Sequence, residues 1–281
     1  MKEPISIIIP SFNRQQLISR AIESVLGQTS SNWELLIIDD GSNDGTKDLV
    51  KSYLTDGRIT YVYQENKGVS VARNIGINLA SSNYVIFLDS DDELYPFLIE
   101  ELHKIDLRTY DLIFWELRKC IDNKYSLWKS KNLGPMYNDM IGTFLAGSVC
   151  YKKEVLITAG SFDSKITFGE NYELGLRISA IQNLNLKYIA KPMAQQNLNT
   201  KNRESNSLEN RVSSILYQYK KHEINYNCNL NAKSEINYLI GFLLEESNMK
   251  DQALERYKLA WESKPWRIKT LLKILYLKYI K

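Results

Sequence analysis

The chain has 281 residues, of which 44% are hydrophobic and 25% are charged, an ordinary composition for a globular protein with a sizeable core. Its 36 basic and 33 acidic residues give a net charge of +3, which is too small to indicate a nucleic-acid-binding protein. No stretch approaches the roughly 20 consecutive apolar residues of a membrane span, so a transmembrane class is excluded.

The cysteines and the N-terminal sequence bear on the compartment. Cys120, Cys150 and Cys228 are far apart and form no CxxC pair, a pattern typical of reduced thiols rather than of a disulfide frame or a zinc site. The first residues lack a signal-peptide pattern. We therefore expect a cytoplasmic location.

The first half of the chain alternates short apolar runs with amphipathic segments. The runs are mostly apolar without alternation, which predicts strands buried on both faces, at residues 5–9, 35–38, 59–63 and 84–88. Helical periodicity lies between them, at residues 17–26, 46–54 and 70–80. This alternation predicts a parallel sheet with right-handed crossovers. Further strands are predicted at 111–116, 145–151 and 186–189, and further helices near 95–104 and 171–183.

The character of the chain changes after about Pro192. Residues 195–211 are polar and typical of a linker or mobile loop, and helical patterns follow, including flanking helices at 208–225 and 266–280. The spacing of several small and apolar residues resembles one tetratricopeptide-type helical hairpin, although an ordinary helical pair fits equally well: Ile240, Gly241, Leu244, Ala253, Tyr257, Ala260 and Pro265. We predict three regions, with bounds at 1–192, 193–211 and 212–281.

The last predicted helix, WRIKTLLKILYLKYI, is apolar on one side and basic elsewhere. Its basic residues, with the lysine that follows it, are Arg267, Lys269, Lys273, Lys278 and Lys281. A basic amphipathic helix with Trp and Tyr is suited to an anionic bilayer surface. The alternative is a terminal helix docked on its neighbours, with its lysines in water.

Polar residues follow three of the predicted strands, at the sheet edge where ligands of parallel sheets bind. The first strand is followed by Phe12, the second by Asp40, and the fourth by the acids of DSDDE, residues 89–93. Each motif alone is explained by a solvated turn. Together they favour a site in which Phe12 stacks on a flat base and Asp40 accepts a hydrogen bond from a ring N–H. Asp89 and Asp91 would hold Mg²⁺ or Mn²⁺, which leaves positions open for a diphosphate.

These segments resemble a large bacterial family, the inverting glycosyltransferases of GT-A fold that use nucleotide sugars. The resemblance covers about residues 4–190 and rests on SIIIPSFNR, ELLIIDDGSNDGT, NKGVSVARNIGI, YVIFLDSDDELYP and GSFDSKITFGENYELGLRI. It implies an α/β fold with a Rossmann-like, mainly parallel sheet flanked by helices. The α-helical C-terminal region is added to this domain.

The resemblance also implies the donor site. Pro10, Phe12 and Asp40 match positions that line the nucleotide pocket, commonly for uridine. Arg73 lies in a segment that borders the donor site, and a surface ion pair explains it nearly as well. Asp91 matches a metal ligand.

Asp89, the other acid of the Asp-x-Asp motif, is placed by the resemblance nearer the ribose and is also a candidate metal ligand. Asp92 either orients its neighbours or caps the next helix. Some relatives complete the metal shell with a histidine, but neither His103 nor His222 stands at such a position. The amides of Asn197 or Asn199, or water, are the alternatives, and the polar loop that carries them is a candidate lid over bound donor.

The implied reaction is an in-line displacement with inversion, in which a carboxylate removes the acceptor proton. In many relatives this base is an Asp six residues before an Arg, but Asn171 stands six residues before Arg177. The neighbouring Glu170 is the predicted base, although a first-turn acid that interacts with the helix dipole explains it as well. Glu173 is a third candidate, about 200° around the helix from Asn171.

We therefore predict a metal-dependent glycosyltransferase, with Mn²⁺ or Mg²⁺ as cofactor. Its donor is a nucleotide sugar, of the UDP type, and its acceptor is a hydroxyl of a glycan or lipid-linked saccharide in polysaccharide biosynthesis. It would act in the cytoplasm, including the inner face of the cell membrane. The alternative is a catalytically silent nucleotide-binding or scaffold protein, because Asn171 cannot take up a proton.

Overall fold

The four apolar runs of the first half form parallel strands in the computed structural model, which describes residues 2–198 and 207–279. The strands are β1 (Ile5–Ser11), β2 (Trp33–Asp40), β3 (Ile59–Gln64) and β4 (Tyr84–Phe87). In the sheet order β3-β2-β1-β4, β1 lies between β2 and β4. Ile8 is level with both Leu36 and Phe87, so the carboxyl ends of β1, β2 and β4 reach the same edge of the sheet.

Three helices connect these strands: α1 (Ile18–Leu26), α2 (Thr46–Lys51) and α3 (Val69–Leu79). β1 and β4 are buried along their whole length, as their mostly apolar patterns predict. Helix α3 approaches β1 closely because Gly76 has no side chain there. A Cβ at this position would overlap the Ile8 side chain.

The second half of the chain continues the same sheet with mixed directions. Its elements are β5 (Glu93–Leu94), α4 (Leu98–Leu102), β6 (Leu112–Ile121), β7 (Lys124–Trp128), β10 (Val149–Lys152), α5 (Lys153–Thr158), α6 (Glu170–Ser179) and β11 (Leu186–Asn197). β10 lies antiparallel between β4 and β6, β11 runs parallel to β6, and β5 and β7 complete the nine strands described in this sheet. A separate ribbon is formed by β8 (Lys131–Asn132) and β9 (Ile141–Gly142).

The predicted polar loop at 195–211 begins later and ends earlier than its composition indicates. β11 extends to Asn197 because its polar end pairs with two strands, Gln195 with Glu93 of β5 and Asn197 with Cys120 of β6. The next helix begins at Leu208. Within the predicted loop, residues 199–206, including the candidate metal ligand Asn199, lie outside the described residues.

The chain divides into two compact units, each with its own apolar core. The sheet unit comprises Met1–Leu133, Asp139–Ser164 and Glu170–Thr200, and the helical unit comprises Gly134–Asn138, Lys165–Gly169 and Lys201–Lys281. The helical unit contains α7 (Leu208–Lys221), α8 (Glu223–Asn227), α9 (Leu230–Glu246), α10 (Lys250–Ser263) and α11 (Ile268–Tyr279).

Helices α9 and α10 form the predicted antiparallel hairpin. Ser234 donates a hydrogen bond to the carbonyl of Ala260 (2.8 Å) near one end, and the Tyr257 hydroxyl donates to Glu245 (2.7 Å) nearer the other. Between them, Gly241 faces the Tyr257 ring at a distance that leaves no room for a side chain. None of the described helices is both long and apolar enough to cross a bilayer.

Candidate functional site

The acids after β4 form a compact cluster. Asp89, Asp91 and Asp92 each present a carboxylate oxygen, and these oxygens lie within 4.8 Å of one another. Asp91 is 8% exposed and Asp92 2%, so water screens their repulsion poorly. Hard carboxylate oxygens are the donors that Mg²⁺ and Mn²⁺ prefer. The residues present therefore fit the predicted metal, and Asp92 joins the two acids to which the sequence pointed.

Backbone contacts hold this acidic loop in place. The Asp92 carboxylate accepts a hydrogen bond from the backbone N–H of Asn197 (2.7 Å). The carbonyl of Asp91 accepts from the side chains of Asn197 (3.1 Å) and Arg20 (2.6 Å). Asn197 Oδ1 already accepts from Gln195 (3.0 Å). The Asn197 side chain thus positions the acidic loop, which explains why polar residues end β11.

Arg73 is buried beside the acid cluster, with only 2% of its surface exposed. Its Nη2 donates to Asp89 (2.9 Å) and its Nη1 donates to Glu170 (2.7 Å). Burial acts to lower the pKa of Arg73, but the Glu170 and Asp89 carboxylates outweigh it and raise the pKa above its ordinary value. The alternative of a surface ion pair is therefore wrong. Arg73 connects the metal candidate to the base candidate.

Asn74 anchors the segment that carries Arg73. Its side chain donates to the carbonyl of Phe162 and accepts from the N–H of the same residue, both at 2.9 Å. The Phe162 ring lies 5.1 Å from the Arg73 guanidinium, a cation–π contact. Sequence reasoning missed Asn74, whose only signal was its place next to Arg73.

Glu170 and Glu173 have different surroundings at the start of α6. Glu170 is the first helical residue, its side chain is 12% exposed, and Arg73 forms its ion pair with the Oε1 atom of Glu170. Glu173 is almost fully buried and pairs with Arg177 (2.8 Å), four residues further along the helix. Glu173 is therefore paired with Arg177. Glu170 is the carboxylate that Arg73 connects to Asp89 of the acid cluster. Asn171 follows Glu170 in the first turn.

The predicted nucleotide residues lie at the ends of β1 and β2, at the sheet edge that β4 shares. Pro10 is buried within β1, and Phe12 follows it partly exposed. Asp40 is 4% exposed and accepts hydrogen bonds from the backbone N–H groups of Lys67 (2.7 Å) and Gly68 (2.8 Å). These bonds give Asp40 a structural role in the turn before α3. The Gly68 N–H donates to the Oδ2 atom of Asp40. A carboxylate oxygen can accept a second hydrogen bond, so Oδ2 has capacity for a further donor.

Hydrogen bonds connect the segment after β1 to the segment after β2. The N–H of Asn13 donates to Ser42 (2.8 Å), and the Asn13 side chain accepts from the N–H of Asn43 (2.9 Å). The N–H of Arg14 donates to the Thr46 hydroxyl (2.9 Å). Sequence reasoning missed these hydrogen bonds between the two segments, since each segment has the composition of an independent turn.

His103 lies away from the acid cluster, and its ring contacts the carbonyl of Glu3 (2.9 Å).

The sheet order and the Asp-x-Asp loop at its carboxyl edge define a GT-A-type protein, which confirms the predicted fold class. The model for "Glycosyl transferase family 2" matches residues 6–162, more than half of the chain. The chain belongs to this family.

Named relatives match part of the chain. WcaA of Escherichia coli, named for colanic acid biosynthesis, is 34% identical over 189 residues, covering 62% of this chain and 65% of WcaA. Glycosyltransferase GlyA of Streptococcus pneumoniae is 33% identical over 141 residues, covering 50% of this chain and 19% of GlyA. A glycosyltransferase of Rickettsia felis is 39% identical over 145 residues, with 52% and 23% covered. The matches span less than two thirds of each relative's own length.

Two solved structures show the same fold over nearly the whole chain. TarS 1–349 of S. aureus, in complex with UDP-GlcNAc, superposes with a TM-score of 0.68 at 16% identity and covers 98% of this chain and 87% of its own. The mannosyltransferase PcManGT of Pyrobaculum calidifontis, in complex with GDP-Man and Mn²⁺, gives 0.62 at 16% identity, with 99% and 86% covered. At these identities the similarity concerns the fold alone.

Proposed function

We propose that this chain is a metal-dependent, inverting glycosyltransferase that moves a sugar from a UDP sugar to a hydroxyl of a glycan or lipid-linked saccharide. The observation that carries this proposal is the chain of contacts from the acid cluster through Arg73 to Glu170. These contacts connect the acid cluster, which would hold a cation bound to the nucleotide, to the Glu170 carboxylate, which would activate the acceptor hydroxyl. Family membership, and the nucleotide sugars bound by TarS and PcManGT, support the donor class.

The nucleotide would bind at the edge of the sheet where the segments that follow β1 and β2 are hydrogen-bonded to each other. Phe12 is partly exposed and suited to stacking on a base. The remaining acceptor capacity of Asp40 Oδ2 suits a ring N–H such as that of uracil. Pro10 would form the buried wall beneath the base. Since the surrounding backbone is hydrogen-bonded before any ligand arrives, little ordering is required on binding.

Asp91 and Asp89, together with Asp92, would hold Mn²⁺ or Mg²⁺. When bound, the cation offsets the negative charge that gathers on the departing nucleoside diphosphate. Arg73 holds Asp89 in position from the protein side.

Glu170 would be the general base. It takes the proton of the acceptor hydroxyl while the hydroxyl oxygen bonds to the anomeric carbon and the bond to the diphosphate breaks on the opposite face, which inverts the configuration. Arg73 contacts Oε1, so Oε2 is the oxygen proposed to receive the proton. Asn171 would hydrogen-bond the acceptor without taking up a proton.

We propose that the reaction takes place in the cytoplasm and serves polysaccharide biosynthesis. Cys120, Cys150 and Cys228 are all free thiols, which is compatible with a reducing compartment. The name of WcaA supports a polysaccharide product.

A second function is favoured by one residue. Asn171 occupies the position at which many relatives carry the base, so a catalytically silent nucleotide-binding protein would retain the acid cluster without turnover. The two functions share the donor site and differ in the role of Glu170.

Thermal unfolding and turnover with a panel of nucleotide sugars test both functions. With Mn²⁺, UDP is expected to raise the melting temperature of the natural chain and of Glu170→Gln, but not of Asp91→Asn, since bound ligand stabilises the folded state. Donor hydrolysis or transfer is expected to fall by about 10²–10⁴-fold in Glu170→Gln, the usual contribution of a general base. The exposed Glu255→Gln on α10 is the matched control.

The outcomes separate the two functions. Stabilisation without turnover in the natural chain would indicate the silent nucleotide-binding protein. Equal rates in the natural chain, Glu170→Gln and Asp91→Asn would show that the assigned roles are wrong.

A further inference from the structure

Helix α11 has an exposed apolar face. Ile268 is 69% exposed, Leu272 58% and Tyr279 78%, and Leu275 and Tyr276 are nearly half exposed. At about 100° per residue, these five side chains fall within one stripe about 100° wide that runs the length of the helix. Isolated exposed apolar residues are ordinary, but a continuous stripe of five marks a contact surface.

The opposite face of α11 packs on its neighbours within the helical unit, α9 and α10. Thr270 and Ile274 are buried there, and Ile274 belongs to the core that includes Tyr257. Lys273 donates to both oxygens of Glu245 (2.8 and 2.9 Å). The outward stripe is therefore not the face by which α11 packs on α9 and α10.

Lysines border the stripe on both sides. By the same helical geometry, Lys269 lies about 20° beyond one edge of the stripe and Lys278 about 60° beyond the other. Both lysines are exposed. An apolar stripe between lysines is the arrangement of a helix that lies in a membrane interface, with its apolar side chains in the lipid and its cations at the headgroups.

The charge of the segment around the stripe indicates which kind of partner covers it. The last 18 residues contain six lysines and arginines and no acid, whereas in the rest of the chain the acids outnumber the bases. A second copy of this face would set like charges against each other. An anionic lipid surface provides the complementary charge together with an apolar layer.

We propose that the stripe Ile268, Leu272, Leu275, Tyr276 and Tyr279 docks the protein on an anionic phospholipid bilayer, with Lys269 and Lys278 at the headgroups. This docking is independent of the glycosyl transfer reaction, since it involves no residue of the acid cluster. It would concentrate the protein on the surface that carries lipid-linked acceptors.

Cosedimentation of the full chain with vesicles tests the proposal. Vesicles of phosphatidylglycerol and phosphatidylcholine in equal parts are expected to bind the protein, and vesicles of phosphatidylcholine alone to bind it far less. High salt should weaken the binding, because it screens the headgroup charge. Lys269→Gln and Lys278→Gln should each weaken binding about fivefold, the usual contribution of one cation near an anionic surface.

The apolar contribution has its own variant and controls. Leu272→Ser with Tyr276→Ser should abolish binding and change the melting temperature little, because more than half of the Leu272 surface and about half of the Tyr276 surface is already exposed to solvent. Two controls remove exposed side chains of the same types outside α11. They are Ile224→Ser, at a 78% exposed position on α8, and Lys250→Gln with Lys258→Gln on α10. Both variants should bind vesicles as the natural chain does.

Three results would overturn the proposal. The first is the absence of binding to anionic vesicles, and the second is binding that the α11 and control variants weaken equally. The third is a self-associated state in solution that Leu272→Ser with Tyr276→Ser disrupts, which would assign the stripe to a second copy of the chain. UDP-dependent stabilisation is measured separately and would be unaffected by any of these results.

Discussion

Arg73 brings together two carboxylates that lie 16 and 97 positions away from it in the sequence. The guanidinium suits this task because its nitrogens point in fixed, different directions, whereas a lysine offers one compact charge. A buried arginine between two acids needs both partners, and each acid in turn needs the arginine. The same contact connects the proposed metal site to the proposed base.

Replacing this arginine tests its positioning role. Arg73→Met should lower the free energy of unfolding by about 3–5 kcal/mol, because it leaves two neighbouring carboxylates without their buried partner. Arg73→Lys should fall between the natural chain and Arg73→Met, since one ammonium reaches the two acids less well. Urea unfolding measures both changes.

The control for Arg73 is an arginine in an exposed pair. Arg108 binds Asp106 at 2.9 Å with 72% of its side chain exposed, so Arg108→Met should change the stability little. If Arg73→Met is as stable as Arg108→Met, the buried bridge does not hold the site together.

Among the helices and strands, neighbours decide where an element ends and how close it comes to the next. The polar end of β11 stays extended because β5 and β6 pair with it, against its local composition. In the α9–α10 hairpin, the contact between Gly241 and the Tyr257 ring sets the separation of the helices. Small residues at helix crossings act through this closeness of approach.

Gly241→Ala is therefore expected to destabilise the helical unit, although alanine is the better helix former. The added methyl group would lie 2.9 Å from the Tyr257 ring. Overpacking costs about 1–3 kcal/mol and exceeds the gain in helix propensity of roughly 1 kcal/mol, so the variant should unfold at lower urea concentration. In the background Tyr257→Leu, which lacks the ring, the loss should shrink or reverse. An equal loss in both backgrounds would contradict this packing role.

For the molecule as a whole, stability and ligand binding rest on different groups. Apolar side chains with almost no exposed surface fill the core of the sheet unit, while the acid cluster lies where its strands end. Burial of apolar surface is the main stabilising contribution in folding. The fold should therefore not depend on the proposed cation.

Metal removal tests this separation. EDTA should leave the melting temperature of the ligand-free protein unchanged, and it should abolish the stabilisation by UDP, because the diphosphate then meets an uncompensated acid cluster. Differential scanning fluorimetry with and without EDTA and UDP measures both effects. A fall in the melting temperature of the ligand-free protein on adding EDTA would indicate a structural metal instead.

Much of this architecture follows from patterns between near neighbours in the chain. The apolar runs, the helical periodicity and the acids after the fourth strand are local signals, so they predicted the α/β sheet, the C-terminal hairpin and the edge at which Asp89 and Asp91 lie. Those signals do not report partners in distant segments, which is why Asn74, the place of Asp92 in the acid cluster and the length of β11 were missed.

What required the folded chain is every relation across long separations: Arg73 with Glu170, Asp92 with Asn197, and the outward direction of the α11 stripe. An apolar helix face reads the same in sequence whether it packs inward or outward, and α11 is apolar on both sides. Short-range periodicity is written in consecutive residues, whereas the pairing of buried charges exists only once packing has brought their strands and helices together.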